Sequence, residues 1–275
     1  MVLIKLKLLN YVELLNVRNR KLTLKKKIIS SNKLKNRISL NKRFQKFDFV
    51  SWQKKKYSTI IKKFDLYKSN LNILDLGCGT GIQVKLFLKL LKKPQIFAID
   101  LSKESLITAK KNINSTRVKY INNDIDHFFK KSTPKFDLIH SSYAFYYSKN
   151  PKKLMQKCFE KLNKGGCMII TCPDKKHEMI ELVGKIGSVK KSILETLKLY
   201  DKTLFKFSIE NRGKIEKIFY KKINNISFKN FHDFLQFWMN TTYYDEKIIK
   251  KIEKKFENGK KSFQKGTIVF AIKKL

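Results

Sequence analysis

Residues Asn72–Gln83 read N-I-L-D-L-G-C-G-T-G-I-Q, and three of the chain's ten glycines stand at alternate positions within this stretch. Glycine costs chain entropy and is used where the backbone enters φ > 0 or must let another group come close. An apolar run enters the turn (Ile73, Leu74, Leu76), and an apolar run of helical spacing leaves it (Ile82, Val84, Leu86, Phe87, Leu90). Strand, glycine turn, helix is the usual place for an α/β protein to hold a ligand.

The same alternation extends on both sides. Trp52–Tyr67 has helical spacing and leads into the strand Ile73–Leu76. After the turn come a helix to about Leu91, a strand Gln95–Ile99 ending in Asp100, and a helix from Glu104 to about Asn112 with Ser102 as its N-cap. Strands are expected at Val118–Ile121, Phe136–His140 and Gly165–Thr171, with a helix over Met155–Leu162. Strand and helix alternate, which argues a parallel sheet covered on both faces. Beyond Pro173, helices are expected near Met179–Leu199 and Phe231–Lys255, and strands at Ile218–Ile226 and Thr267–Ile272. The last strand is expected to close one edge of the sheet.

The spacing narrows the ligand. A dinucleotide site reads G-x-G-x-x-G, whereas Gly77, Gly79 and Gly81 give G-x-G-x-G, and no Walker lysine with serine or threonine follows. With Asp75 two residues ahead of the first glycine, the stretch resembles motif I of the class I S-adenosylmethionine-dependent methyltransferases. Further positions agree: Asp100 ends the second strand, Asp124 follows the third, K-F-D-L-I-H-S-S is similar to the fourth-strand motif, and L-N-K-G-G-C-M-I-I resembles a later L-x-P-G-G motif with Lys164 in place of proline. The resemblance spans about residues 51–173 and, more weakly, the remainder, close to the small-molecule (type 11/12-like) group.

That resemblance implies a Rossmann-like, mostly parallel seven-stranded sheet, with a helical lid or insertion toward the C-terminus and S-adenosylmethionine as cofactor. The cofactor contacts it implies are Asp75, Gly77, Cys78, Gly79, Gly81, Asp100, Leu101, Asp124, Ile125, His140 and Ser141. Asp100 would accept from the ribose hydroxyls, Asp124 would bind the adenine amino group and Ile125 would flank the ring. A capping role for Asp75 toward the loop amides and ordinary turn chemistry for Asp124 remain open on the residues alone. The implied core motifs occupy 72–173 within a domain 46–275, with 174–260 as the substrate-side part.

The formal charge of +40 invites a nucleic-acid reading, yet only six of the 62 basic residues are arginine, the side chain whose planar fork suits base and phosphate recognition. Lysine, asparagine, isoleucine and phenylalanine are in excess over alanine and proline, as in A/T-rich coding. Residues 1–45 stand apart as a basic extension, read here as a poorly ordered tail. Docking to RNA or an anionic membrane surface is the competing reading, and only weak surface contact with a membrane is expected. No apolar run approaches the roughly 20 residues that span a bilayer. Lys5 and Lys7 interrupt the apolar start, so no secretory core is expected. Cys78, Cys158, Cys167 and Cys172 lack metal-ligand or disulfide spacing, so no metal is expected and a reducing cytoplasm is the expected location.

Methyl transfer needs alignment more than covalent help. The acceptor is expected beyond the fourth strand, at H-S-S-Y-A-F-Y-Y (His140–Tyr147), with His140, Tyr143 and Tyr146 as candidate catalytic residues against structural alternatives for each. H-S-S-Y is unlike the N-P-P-Y or D-P-P-Y of enzymes acting on base amines, and no cysteine is placed for covalent attack on a pyrimidine. The expected activity is methyl transfer to a small-molecule or carrier-attached acceptor. The alternatives are an RNA methyltransferase docking through residues 1–45 and a catalytically silent binding subunit of the same fold. Phe228, Phe231, Phe234, Phe237, Trp238, Tyr243 and Tyr244 are expected in a lid or, from their helical spacing, mostly in its core.

Overall fold

The structure, a computed structural model, describes residues 31–130 and 133–275. In chain order the elements are α1 (Ser31–Phe44), α2 (Phe49–Lys63), β1 (Asn72–Leu76), α3 (Ile82–Leu90), β2 (Gln95–Asp100), α4 (Lys103–Ile113), β3 (Val118–Asn122) and β4 (Phe136–Ser142). They continue with α5 (Pro151–Glu160), β5 (Leu162–His177), α6 (Glu178–Ile186), α7 (Lys191–Leu197), α8 (Lys206–Glu210), β6 (Ile215–Ser227), α9 (Phe231–Met239), α10 (Ile249–Glu257) and β7 (Ser262–Lys274). The strands form one seven-stranded sheet in the order β3-β2-β1-β4-β5-β7-β6. β1 to β5 pair in parallel, while β7 runs antiparallel between β5 and β6.

Parallel strands joined by helices must bury both faces, and the apolar runs do so. Leu74, Leu76, Ile139, Met168 and Ile170 face α5 and α8 through Met155, Phe159 and Phe207. Their alternates Ile73, Ala98, Leu138, Ile169 and Val269 pack against Tyr57, Ile60 and Ile61 of α2 and Val84 and Phe87 of α3. Ser102 caps α4 as expected, accepting from the Ser105 amide. Beyond the sheet's carboxyl ends a further aromatic core gathers Phe228, Phe231, Phe234, Phe237, Trp238 and Tyr243, with Tyr244 packed against it. Helical spacing indeed marked core residues there.

Several expectations change. β7 does not close an edge: it is inserted between β5 and β6, and the edges are β3 and β6. Its central run Ile268–Ile272 is apolar at every position because it is covered on both faces, which is the signature of an inner strand. The helix expected over 155–162 spans Pro151–Glu160, since Asn150 caps it and proline suits its first turn. The long helices expected over 179–199 and 231–255 are each broken, the first around Gly187 and the second after Met239. Of the expected extension 1–45, residues 1–30 lie outside the described residues. The remainder is helical and packed: Phe44 is 8% exposed within the aromatic core, Arg43 pairs with Asp233 at 3.3 Å, and Gln45 bridges to Ile226. The basic composition of α1 hid this, because only one stripe of the helix is apolar.

Candidate active site

β1 lies between β2 and β4, so the chain order reverses there, and such a switch point is where α/β sheets open a crevice at the strands' carboxyl ends. The glycine turn sits on it. Gly77, Gly79 and Gly81 have φ of +74°, +54° and +83°, a region that costs other residues about 1–2 kcal/mol. A Cβ on Gly77 would lie 2.2 Å from that of Ala144, and one on Gly81 2.5 Å from Ile113 Cδ1. Those two glycines therefore admit the loop after β4 and helix α4. Gly79 differs, since a Cβ there would meet only Leu34 of α1, at 3.4 Å. The turn is pinned to β2 by the amides of Gly77 and Cys78, which donate to the Ile99 carbonyl at 2.8 and 2.9 Å.

Asp100 ends β2 with both carboxylate oxygens engaged. The Gly79 amide donates to Oδ2 and the Ser102 amide to Oδ1, each at 2.8 Å. Burial holds its pKa above the ordinary carboxylate value, partly offset by those amides. Leu101 beside it is half-buried, its carbonyl accepting from Asn122 Nδ2 at 2.9 Å. Asp124 shows turn chemistry: its Oδ1 accepts from the Asp126 amide at 2.7 Å, and its carbonyl accepts from His127 and Phe128. Ile125 is buried at the edge of the α5-side core. Ser141 Oγ donates to the Leu76 carbonyl at 3.0 Å, tying β4 to the start of the turn. The Cys78 thiol is pushed up by burial and by Asp75, which leaves it protonated and unreactive.

Under the turn lies a buried polar chain. β1 and β4 pair with Asp75 opposite His140, which puts both side chains on one face. Each is 1% exposed, and His140 Nδ1 donates to Asp75 Oδ1 at 2.7 Å. With Asp75 Oδ1 accepting, Nδ1 carries the proton, and Nε2 accepts from Tyr57 Oη at 2.8 Å. Tyr57 Oη in turn accepts from Thr171 Oγ1 at 2.7 Å and Gln53 Nε2 at 2.9 Å, and Gln53 Oε1 accepts from Gln83 at 3.1 Å. The chain thus links α2, α3, β1, β4 and β5. Asp75 Oδ2 is buried with no hydrogen-bond partner among the described residues.

His140 has therefore spent both ring nitrogens inside the protein, which makes it a positioning group in this arrangement. Tyr143, at φ +54°, shares a 2.6 Å hydrogen bond with Thr267, and its ring stands 6.0 Å from Phe49. Tyr146 and Tyr147 are neighbours with ring centroids 4.8 Å apart. Burial pushes all three phenols up, so they remain neutral. Across from them α1 carries Arg37 and Asn41, and Lys265 of β7 donates to Asn41 Oδ1 at 2.9 Å.

Gln53, Tyr57, Thr171, Arg37 and Lys265 escaped the sequence reading. Gln53 and Tyr57 did leave a signal, as polar groups four apart on the apolar face of a helix. Lys265 left none, being one lysine among many. Among the described residues no group of His, Cys, Asp and Glu is assembled to hold a metal. No described helix is long and apolar enough to cross a membrane.

A family model for a methyltransferase domain matches residues 67–267. The malonyl-[acyl-carrier protein] O-methyltransferase of Acetivibrio thermocellus is 32% identical over 121 residues, which are 44% of this chain and 42% of that protein. The chain thus spans about two fifths of that relative's length. Among solved structures, a putative methyltransferase from Bacillus halodurans aligns over 78% of this chain and 97% of its own with a TM-score of 0.55 at 17% identity. The plantazolicin methyltransferase BpumL, solved with a desmethylPZN analogue and SAH, aligns over 88% and 90% with a TM-score of 0.52 at 20% identity. At those identities the structures speak for the fold, and the matched domain speaks for the family. With its strand order and its glycine turn, the chain belongs to the methyltransferase-domain family, in the class I, S-adenosylmethionine-dependent group.

Proposed function

We propose that this chain transfers a methyl group from S-adenosylmethionine to a small-molecule or carrier-attached acceptor. The observation that carries the reading is the turn Gly77–Gly81 at the switch point, with Gly79 left open by the sheet and its loops and with Asp100 tied to its amide. The residues fit the cofactor. Asp100 retains lone pairs for ribose hydroxyls, because a carboxylate offers about four acceptor sites and two are used here. The backbone at Gly79 accepts a close neighbour that a side chain would exclude, and the partnerless Asp75 Oδ2 suits an ammonium group, directly or through water. Asp124, Ile125 and Leu101 would meet the base and Cys78 and Ser141 would shape the turn. When bound, the cofactor supplies a methyl group on a positively charged sulfur.

The protein's own part is to align and to dry. Asp75, His140 and Tyr57 hold the turn rigidly against β4, and Tyr143, Tyr146 and Tyr147 wall the acceptor side with neutral rings. Alignment of this kind is worth roughly 7–11 kcal/mol in well-oriented reactions. The malonyl-carrier methyltransferases among the relatives support a carrier-attached acceptor. The four buried cysteines, all free thiols, suit a reducing cytoplasm.

Calorimetric titration with S-adenosylhomocysteine tests this. The wild type should bind, and Asp100→Ala should weaken binding well over tenfold, since each lost charged hydrogen bond is worth about 1.5–3 kcal/mol. Wild-type protein that takes up neither S-adenosylhomocysteine nor S-adenosylmethionine at millimolar concentration would refute it.

A further inference from the structure

α1 carries more than cover. Leu34, Arg37 and Asn41 are spaced three and four residues apart, which aligns them on one face of the helix. The two outer residues fix where that face lies: Leu34 stands over Gly79, and Asn41 accepts from Lys265. Arg37 is thus held between the glycine turn and Lys265. Its charge is felt by Tyr143, Tyr146, Tyr147, Tyr243 and Lys265, the residues around the acceptor wall.

Two cations gathered here ask for an anion. Among the described residues neither is ion-paired: the ion pairs of the neighbouring acids go elsewhere, Asp174 to Lys221, Glu178 to Lys260 and Asp233 to Arg43. Burial, with Arg37 adding to it, lowers the Lys265 pKa to about 7, so the ammonium is held at a cost that a bound negative charge would offset. His177, which pairs with Lys265 in the β5–β7 register, is 5% exposed and its Nδ1 has no partner among the described residues.

We propose that Arg37 and Lys265 form an anion site for a carboxylate of the methyl acceptor, with Asn41 setting the lysine and the tyrosine hydroxyls walling it. The assignment rests on the methyltransferase reading and names the acceptor's class, an acid. Arginine's planar fork suits a carboxylate bidentately, and lysine adds a point charge. A carboxylate also arrives already ionised, so it asks no base of a site whose His140 is spent on Asp75 and Tyr57. The cofactor's own carboxylate has the same chemistry, so the test must part the two sources.

The test is calorimetry on the full chain, with and without saturating S-adenosylhomocysteine, titrating acetate, malonyl pantetheine and the methyl ester of malonyl pantetheine. Malonyl pantetheine should bind at least tenfold tighter than its ester. Arg37→Leu and Lys265→Met should each lose at least tenfold for the acid, while the ester and S-adenosylhomocysteine stay within threefold. Urea midpoints check the fold, and Lys265→Met, which removes a buried charge, stands in should Arg37→Leu unfold. If S-adenosylhomocysteine instead loses tenfold in either variant, the donor's carboxylate is the anion held and the assignment is overturned. No measurable acid binding below 10 mM by any probe, or equal binding of acid and ester, overturns it as well. Acid selectivity lost in both variants of a chain that binds no S-adenosylhomocysteine would sustain the anion site and sink the methyl-transfer reading alone.

Discussion

Replacing Tyr57 by phenylalanine removes one oxygen from the centre of the buried polar chain. In the wild type that hydroxyl donates to His140 Nε2 at 2.8 Å and accepts from Thr171 at 2.7 Å and Gln53 at 2.9 Å. Gln53 Nε2 keeps the Ser142 and Thr171 hydroxyls as acceptors at 3.1 and 3.3 Å, whereas the Thr171 hydroxyl loses the acceptor of its own proton. His140 Nε2 keeps nothing, and its residue is 1% exposed. One orphaned acceptor costs about 1–3 kcal/mol, and the weakened donors add about another 1 kcal/mol. The expected loss is therefore about 2–4 kcal/mol, roughly 5–10 °C in Tm for a chain of this size. Urea unfolding at pH 7 reads it as a lower midpoint at unchanged m. The double variant Tyr57→Phe/His140→Phe should cost at least about 1 kcal/mol less than the sum of the singles, because the orphan disappears with the ring. A single-variant loss under about 0.5 kcal/mol, or strict additivity, would show that the chain is not the brace described.

The glycines should separate by role. Gly79→Ala, strained by about 1–2 kcal/mol at its positive φ, should still fold and lose at least tenfold in S-adenosylhomocysteine affinity, whereas Gly77→Ala should destabilise more, since its Cβ would lie 2.2 Å from Ala144 Cβ. Equal stability of the two by urea melts would contradict that division. His177 is held neutral by burial and by Lys265, with its pKa lowered to about 3 from 6.5. The unfolded chain thus binds the extra proton first as pH falls below about 6.5, and stability should drop by up to about 1.4 kcal/mol per pH unit down to about pH 3. His177→Gln should lack that component, and parallel wild-type and variant profiles between pH 7 and pH 4 would refute it. Phe44→Ala should cost about 3 kcal/mol by opening the aromatic core, which a fluorescence-monitored urea titration can measure. A loss below 1 kcal/mol would return α1 to the status of an appendage.

How far the sequence reached depended on how local the cause was. The glycine turn was legible because three positive-φ positions must be paid for in glycine within a few residues, whatever the rest of the chain does. The strands β1, β2, β4 and β5 were legible because burial leaves apolar runs bounded by turns, and Ser102 because a cap is a matter of three residues. Tertiary structure decided the rest. Which strand is inner and which is edge depends on pairing across a hundred residues, so β7 was misplaced until its partners β5 and β6 were seen. The division among the glycines needed Ala144, Ile113 and Leu34, none of them adjacent in sequence. His140 reads alike as a base or a brace until Asp75 and Tyr57 are found on its two nitrogens. Arg37 and Lys265 were two cations among 62, and only the fold, by setting α1 across the ends of the sheet, turned them into a pair. Short-range sterics write themselves into sequence, whereas the meaning of a charge depends on what stands beside it.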